Sequence, residues 1–176
     1  SEIWRDATGS DEPHLAAILH SAPHAFARLR NLLDVRHHDD FFPQELIDRL
    51  EQFTIESEAI LPTIPDVLDE DSIELIGKLA DRSQCTGAEK LGNQIPATVF
   101  LTRTARQLGA VAASAQGAGF GGSVWALVAN HDVESFVKRW SNAYCRSFPE
   151  TAANADFFAT HAGPPATPVV QSPSSQ

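Results

Sequence analysis

Four glycines fall within six residues in the run Gly117-Ala118-Gly119-Phe120-Gly121-Gly122-Ser123. Ordering glycine costs more backbone freedom than ordering any other residue, so such a run belongs where a chain turns sharply or lies close to a ligand. Backbone N–H groups on a glycine turn can offer positive potential to phosphate oxygens. As a pattern, Gly117, Gly119 and Gly122 satisfy G-x-G-x-x-G. The dinucleotide form of that pattern needs a helix to open at the third glycine. Here the continuation is Ser123-Val124-Trp125-Ala126-Leu127-Val128, an apolar run that predicts a strand. The phosphate-loop form of nucleotide hydrolases also fails, because no Lys-Ser or Lys-Thr pair follows. Two readings stay open: a glycine hairpin or bulge without ligand contacts, and a loop lying against an anion or another phosphate-binding segment.

Other residue groups point to weaker chemistry. His37-His38-Asp39-Asp40 offers metal-ligand types in a row, but consecutive residues do not share one face. The expectation there is a solvated helix start or loop, with Asp39 or Asp40 as cap. His20 and His24 have the i, i+4 spacing of helical zinc ligands, yet Pro23 interrupts the helix between them. Asp66, Asp69, Glu70 and Asp71 predict a solvated connection. Cys145 with His131 lacks the orienting third group of a nucleophile pair. Trp125 is expected in the core rather than as a substrate platform. Arg103 and Arg106 are expected on a solvated helix face before the glycine run.

The elements that position the loop follow from periodicity. Leu15, Ile18 and Leu19, then Phe26, Leu29, Leu32 and Leu33, predict helices separated at Pro23. Pro43 sits where a long helix would begin, with Leu46, Ile47, Leu50, Phe53 and Ile60 on one side and Pro62 and Pro65 at its end. Ser72 is a candidate cap for a helix burying Ile73, Ile76 and Leu79. A further helix is expected over 96–108, stopped by Gly109. The period then changes. Residues 111–116 and 124–128 predict strands flanking the glycine run, joined directly and therefore antiparallel. Asp132 is expected to cap a helix with Val133, Phe136, Val137, Trp140 and Tyr144 on one face. Phe157-Phe158-Ala159-Thr160 is expected as a last strand, and the Pro-, Ser- and Thr-rich end after Gly163 as a disordered tail. These elements predict an α+β fold with helices on one face of a small antiparallel sheet.

At 176 residues and 43% hydrophobic, the chain can bury a core of its own. A formal net charge of −10 argues against nucleic-acid binding, which needs a basic face. No apolar run approaches the ~20 residues of a membrane helix. The two cysteines, Cys85 and Cys145, make no disulfide framework, and a reduced, cytoplasmic setting is expected. The first residues lack the layout of a signal peptide, and the absence of methionine suggests a processed or trimmed chain.

The glycine run carries a resemblance. Gly109-Ala110-Val111 leading into Gln116-Gly117-Ala118-Gly119-Phe120-Gly121-Gly122-Ser123 resembles the third motif of the GHMP small-molecule kinases, most of all the galactokinase version. Phe53 with Glu56 and Ser57, Ile76-Gly77-Lys78-Leu79 before Ser83, Ala105-Arg106, and Phe157-Phe158 with Gly163 and Ala166 agree in the same order. The resemblance implies a ferredoxin-like α+β C-terminal domain over 1–166, with a tail at 167–176. It implies that Gly117, Gly119, Gly121, Gly122 and Ser123 close over the phosphate site. ATP and Mg²⁺ would be held mainly by an N-terminal kinase domain that this chain does not contain. The implied reaction of the complete enzyme is phosphorylation of galactose; the chain alone is expected to be inactive. Asn93 and Gln94 are the implied substrate-side residues. Two departures bear on the sugar: Ser123 stands where galactokinases commonly have Cys, and Ala97 where an acid usually follows Pro. Three alternatives are carried: a non-catalytic ligand- or protein-binding module, a kinase of another sugar, and a kinase of another metabolite. Removal of a partner domain would leave an apolar face open to self-association.

Overall fold

A computed structural model describes residues 1–36, 40–69, 72–161, 163–165 and 167. His37, His38 and Asp39, the acidic pair Glu70 and Asp71, Ala166 and the expected tail from 168 onward lie outside the described residues.

Four helices build the first half: α1 (Glu2–Thr8), α2 (Leu15–Ser21), α3 (Ala25–Val35) and α4 (Pro43–Thr54). Their apolar faces converge on one core of Trp4, Ile18, Ala25, Leu29, Leu33, Ile47 and Leu50. The break expected at Pro23 is present, between α2 and α3. Pro43 opens α4, where its missing N–H is harmless. The Glu45 carboxylate accepts the Phe42 N–H at 2.8 Å and satisfies another donor there. Beyond Thr54 the helical path continues through a π-helical turn (Ile55–Ile60) and a 3-10 turn (Leu61–Thr63) into α5 (Ile64–Asp69). Pro62 and Pro65, expected as the end, fall instead in the opening residues of the 3-10 turn and of α5. A proline there breaks no hydrogen bond.

The second half holds α6 (Ile73–Thr86), its π-helical extension (Gly87–Leu91), and α7 (Pro96–Gln107). Strands β1 (Ala112–Ala115) and β2 (Val124–Leu127) follow, then α8 (Val133–Ser147). β1 and β2 pair antiparallel, Ala113 opposite Ala126 and Ala115 opposite Val124. Helices and a two-stranded antiparallel sheet make the α+β class expected from the sequence. Ala105, Ala110, Ala113, Phe136 and Trp140 form the second core, with Val124 and Ala126 packed against it. Trp125, expected to be buried, stands 38% exposed because alternation along β2 turns it away from that core. Ile73 is 41% exposed as well; Gly77 and Thr86 are the buried residues of its helix.

Phe157–Thr160 does not form the expected strand. The Phe157 ring meets Trp140 edge-on at 5.4 Å and lies 5.8 Å from Tyr144. Aromatic packing on α8 thus holds this segment without a backbone ladder. Across the two halves, Lys90 Nζ donates to Glu51 (2.5 Å) and Asp48 (3.3 Å), and Ser83 Oγ donates to Glu56 at 2.6 Å.

Candidate functional site: the glycine loop

The loop joins β1 to β2 and is closed at its base by the Gln116 N–H donating to the Ser123 carbonyl at 2.9 Å. Its backbone is left-handed at Gly117, Gly119, Phe120, Gly121 and Gly122, with φ between 60° and 120°. Phe120 is the one non-glycine there, at φ 60° and 75% exposed. A bulky residue in this region is strained by roughly 1–2 kcal/mol, so its surroundings must hold it.

What holds it is Asn93, in the connection between the π-helical extension of α6 and α7. The Asn93 carbonyl accepts the Phe120 N–H at 2.5 Å, and Asn93 Nδ2 donates to the Ala118 carbonyl at 3.1 Å. Gly119 lies between these two bonds. A Cβ at Gly119 would stand 2.2 Å from the Asn93 carbonyl oxygen and 2.7 Å from its side-chain amide. The glycine is therefore required by close approach as well as by its φ of 89°. Two sequence candidates, the loop and Asn93, are thus brought into direct contact.

The remaining donors face outward. Among the described residues, the backbone N–H groups of Gly117, Ala118, Gly119, Gly121 and Gly122 have no hydrogen-bond partner. Gly117, Ala118 and Gly122 are exposed and Gly119 and Gly121 half-buried. Several amides without a partner on one turn are the kind of donor set that suits anionic oxygens.

Arg106 anchors the base of the hairpin, contrary to the solvated role expected for it. Its Nε donates to Asp81 Oδ1 at 2.9 Å and its Nη2 to Asp81 Oδ2 at 2.9 Å, across α6 and α7. Its Nη1 donates to the carbonyls of Ala110 and Val111, just before β1. The planar fork of arginine satisfies all these acceptors at once. Beside it, a Cβ on Gly77 would stand 2.2 Å from the Val111 carbonyl oxygen, so only glycine lets α6 lie this close to the strand entry.

Residues 66–146 match the family model of the GHMP kinases C terminal. Over those residues the chain is similar to the GHMP kinase C-terminal family. The match spans α6, α7, the glycine hairpin and most of α8 and leaves α1 to α4 outside it. The crystal structure of Lactococcus lactis galactokinase complexed with galactose is similar in fold, at a TM-score of 0.66 and 21% identity. That likeness covers 84% of this chain and 35% of the galactokinase, so the chain spans about a third of the protein it matches.

The other candidates lie away from the glycine loop or are engaged elsewhere. His20 Nε2 pairs with Glu58 at 3.1 Å, and His24 is left-handed at the start of α3, so the two do not share a helix face. Among the described residues, no three His, Cys, Asp or Glu side chains converge as a metal site. The described residues thus offer no acidic cluster to fit a divalent cation, whereas the loop amides without a partner are of the donor type that suits anionic oxygens. Cys145 is exposed on α8, and His131 lies beside Asp132 at 3.3 Å. Cys85 is exposed, and the neighbouring Glu89 carboxylate pushes its thiol pKa up, away from nucleophile character. Arg103 lines a shallow cleft of about 260 Å³ between α6 and α7, with Gln84, Glu89 and Thr102. Sequence reasoning missed Gly77 and the role of Arg106. The Ile76-Gly77-Lys78-Leu79 and Ala105-Arg106 strings entered only as parts of the resemblance, with no role attached to either residue.

Proposed function

We propose that this domain is the C-terminal part of an ATP-dependent sugar kinase of galactokinase type. Joined to an N-terminal kinase domain, it would serve transfer of the γ-phosphoryl group of ATP to the anomeric hydroxyl of galactose or a related sugar. The observation that carries the reading is the glycine loop, with five free backbone N–H groups on a left-handed turn. Such donors stabilise charge that builds on phosphoryl oxygens during transfer, without any reacting side chain. Gly117, Gly119, Gly121, Gly122 and Ser123 are the residues assigned nearest to the phosphates. The base that takes the sugar hydroxyl proton, and the ligands of Mg²⁺, belong in this reading to the N-terminal domain.

Sugar as the substrate class is supported by the galactose complex of the similar Lactococcus lactis protein. Ser123 and Ala97, which depart from the galactokinase pattern, keep another aldose or a sugar acid in the test panel. The experiment is ADP release, dependent on ATP and galactose, by the longer protein and by its Gly119→Val variant. A Cβ at Gly119 cannot fit beside Asn93, so turnover should collapse while the fold survives. Activity with another aldose alone would move the substrate. Silence across a sugar panel would favour a non-catalytic binding module. The 176-residue chain by itself should show no turnover.

A further inference from the structure

The Asn93 clasp does not stand alone. Its Oδ1 accepts from Gln94 Nε2 at 3.0 Å. Gln94 Oε1 in turn accepts from Thr98 Oγ1 of α7 at 2.9 Å and from Gln84 Nε2 of α6 at 3.4 Å. Gln84 Oε1 closes the chain on β1, accepting the Ala115 N–H at 2.9 Å and Ser114 Oγ at 3.2 Å. The order is therefore β1, Gln84, Gln94, Asn93, glycine loop. Each side-chain amide donates toward the loop and accepts from behind, except that Gln84 accepts from the strand.

We propose that Gln84, Gln94 and Asn93 form a side-chain amide relay that presets the glycine loop, with Gln94 as its positioning residue. An amide is both donor and acceptor, so orienting one end orients the next. With Asn93 Oδ1 taken by Gln94, its Nδ2 is left to face the Ala118 carbonyl. If Gln94 lost its donor, only the exposed bond to the Ala118 carbonyl would hold the Asn93 amide, and the clasp would loosen. The side-chain relay ends on the Ala118 carbonyl, and the Asn93 backbone carbonyl takes the N–H of the strained Phe120 on the other side of Gly119, so the pose of Asn93 governs both bonds. Gln94 itself makes no hydrogen bond to a loop residue, so its polar influence there passes through Asn93. The catalytic consequence, a loop already shaped for phosphate oxygens, rests on the kinase reading above; the relay itself does not.

Amide hydrogen exchange on this chain tests the relay without any assay of activity. Gln94→Glu keeps the size and the acceptors for Gln84 and Thr98 but cannot donate to Asn93 at neutral pH. Gln94→Met keeps only the shape. Exchange at the Phe120 N–H should rise about 3- to 10-fold in both, the effect of losing roughly one hydrogen bond. The Val111 N–H, bonded to the Leu127 carbonyl at 2.8 Å at the far end of the hairpin, should not change. Thr98→Val removes a bond to Gln94 but leaves every loop-directed donor in place, and should leave Phe120 protected. Unchanged Phe120 exchange in Gln94→Glu, or an equal rise at Val111, would overturn the relay. Should Gln94→Met unfold, Gln94→Glu carries the test alone. Kinase activity failing with the exchange result intact would remove the catalytic reading and keep the relay.

Discussion

Single residues here matter through what their size permits. Gly77 sits inside a helix, where glycine normally weakens structure, and it is buried against the Val111 carbonyl. Gly77→Ala should therefore destabilise the chain by about 1–3 kcal/mol in urea unfolding, although helix propensity alone predicts a gain. A stabilised variant would show that α6 can move off β1 at little cost. Arg106 is the companion case. Its guanidinium gathers Asp81 and the two carbonyls before β1, and lysine cannot copy that fork. The glycine loop was legible in the sequence because glycines at close spacing mark positive φ. Gly77 and Arg106 were not, because their partners lie 34 and 25 residues away, at Val111 and Asp81.

Between elements, the joint that matters is Lys90 in the π-helical extension of α6 with Glu51 and Asp48 on α4. It ties the first helical core to the half that carries the glycine loop. Its hydrogen bond to Lys90 holds the Glu51 carboxyl below the ordinary carboxylate range, and the same pair raises Lys90. A lowered Glu51 contributes stability that is complete above the ordinary carboxylate pKa and is lost as pH falls through the lowered one. A raised Lys90 contributes stability that is complete below the ordinary lysine pKa and is lost as pH rises through the raised one. Lys90→Met should thus cost about 1 kcal/mol at neutral pH and much less near pH 3. A cost independent of pH would assign the effect to packing of the lysine stem. Helix periodicity had indicated both elements, but not that the helical path would continue through Pro62 and Pro65, nor that Lys90 would meet α4.

At the scale of the whole molecule, the chain has two hydrophobic cores, and several large apolar side chains remain exposed in the half that carries the loop. Phe120 and Phe158 are 75% and 78% exposed, and Trp125 and Leu127 each 38%. A domain that works against another should behave this way when alone. The chain is expected to self-associate at high concentration, and light scattering that shows a monomer throughout would count against it. The α+β class, the hairpin around the glycine run and the family motif were all present in the sequence. Each rests on local order: a period of 2 or 3.6, or glycines in series. The closing strand at Phe157 was a wrong expectation because an aromatic pair fits a strand or a helix-packed segment equally well, and only α8 decided between them. Tertiary structure alone decided that Asn93 clasps the loop, that Gln84 and Gln94 stand behind it, and that Arg106 is an anchor. Those contacts join residues far apart in the chain, and no local pattern encodes the distance between two surfaces once they have packed.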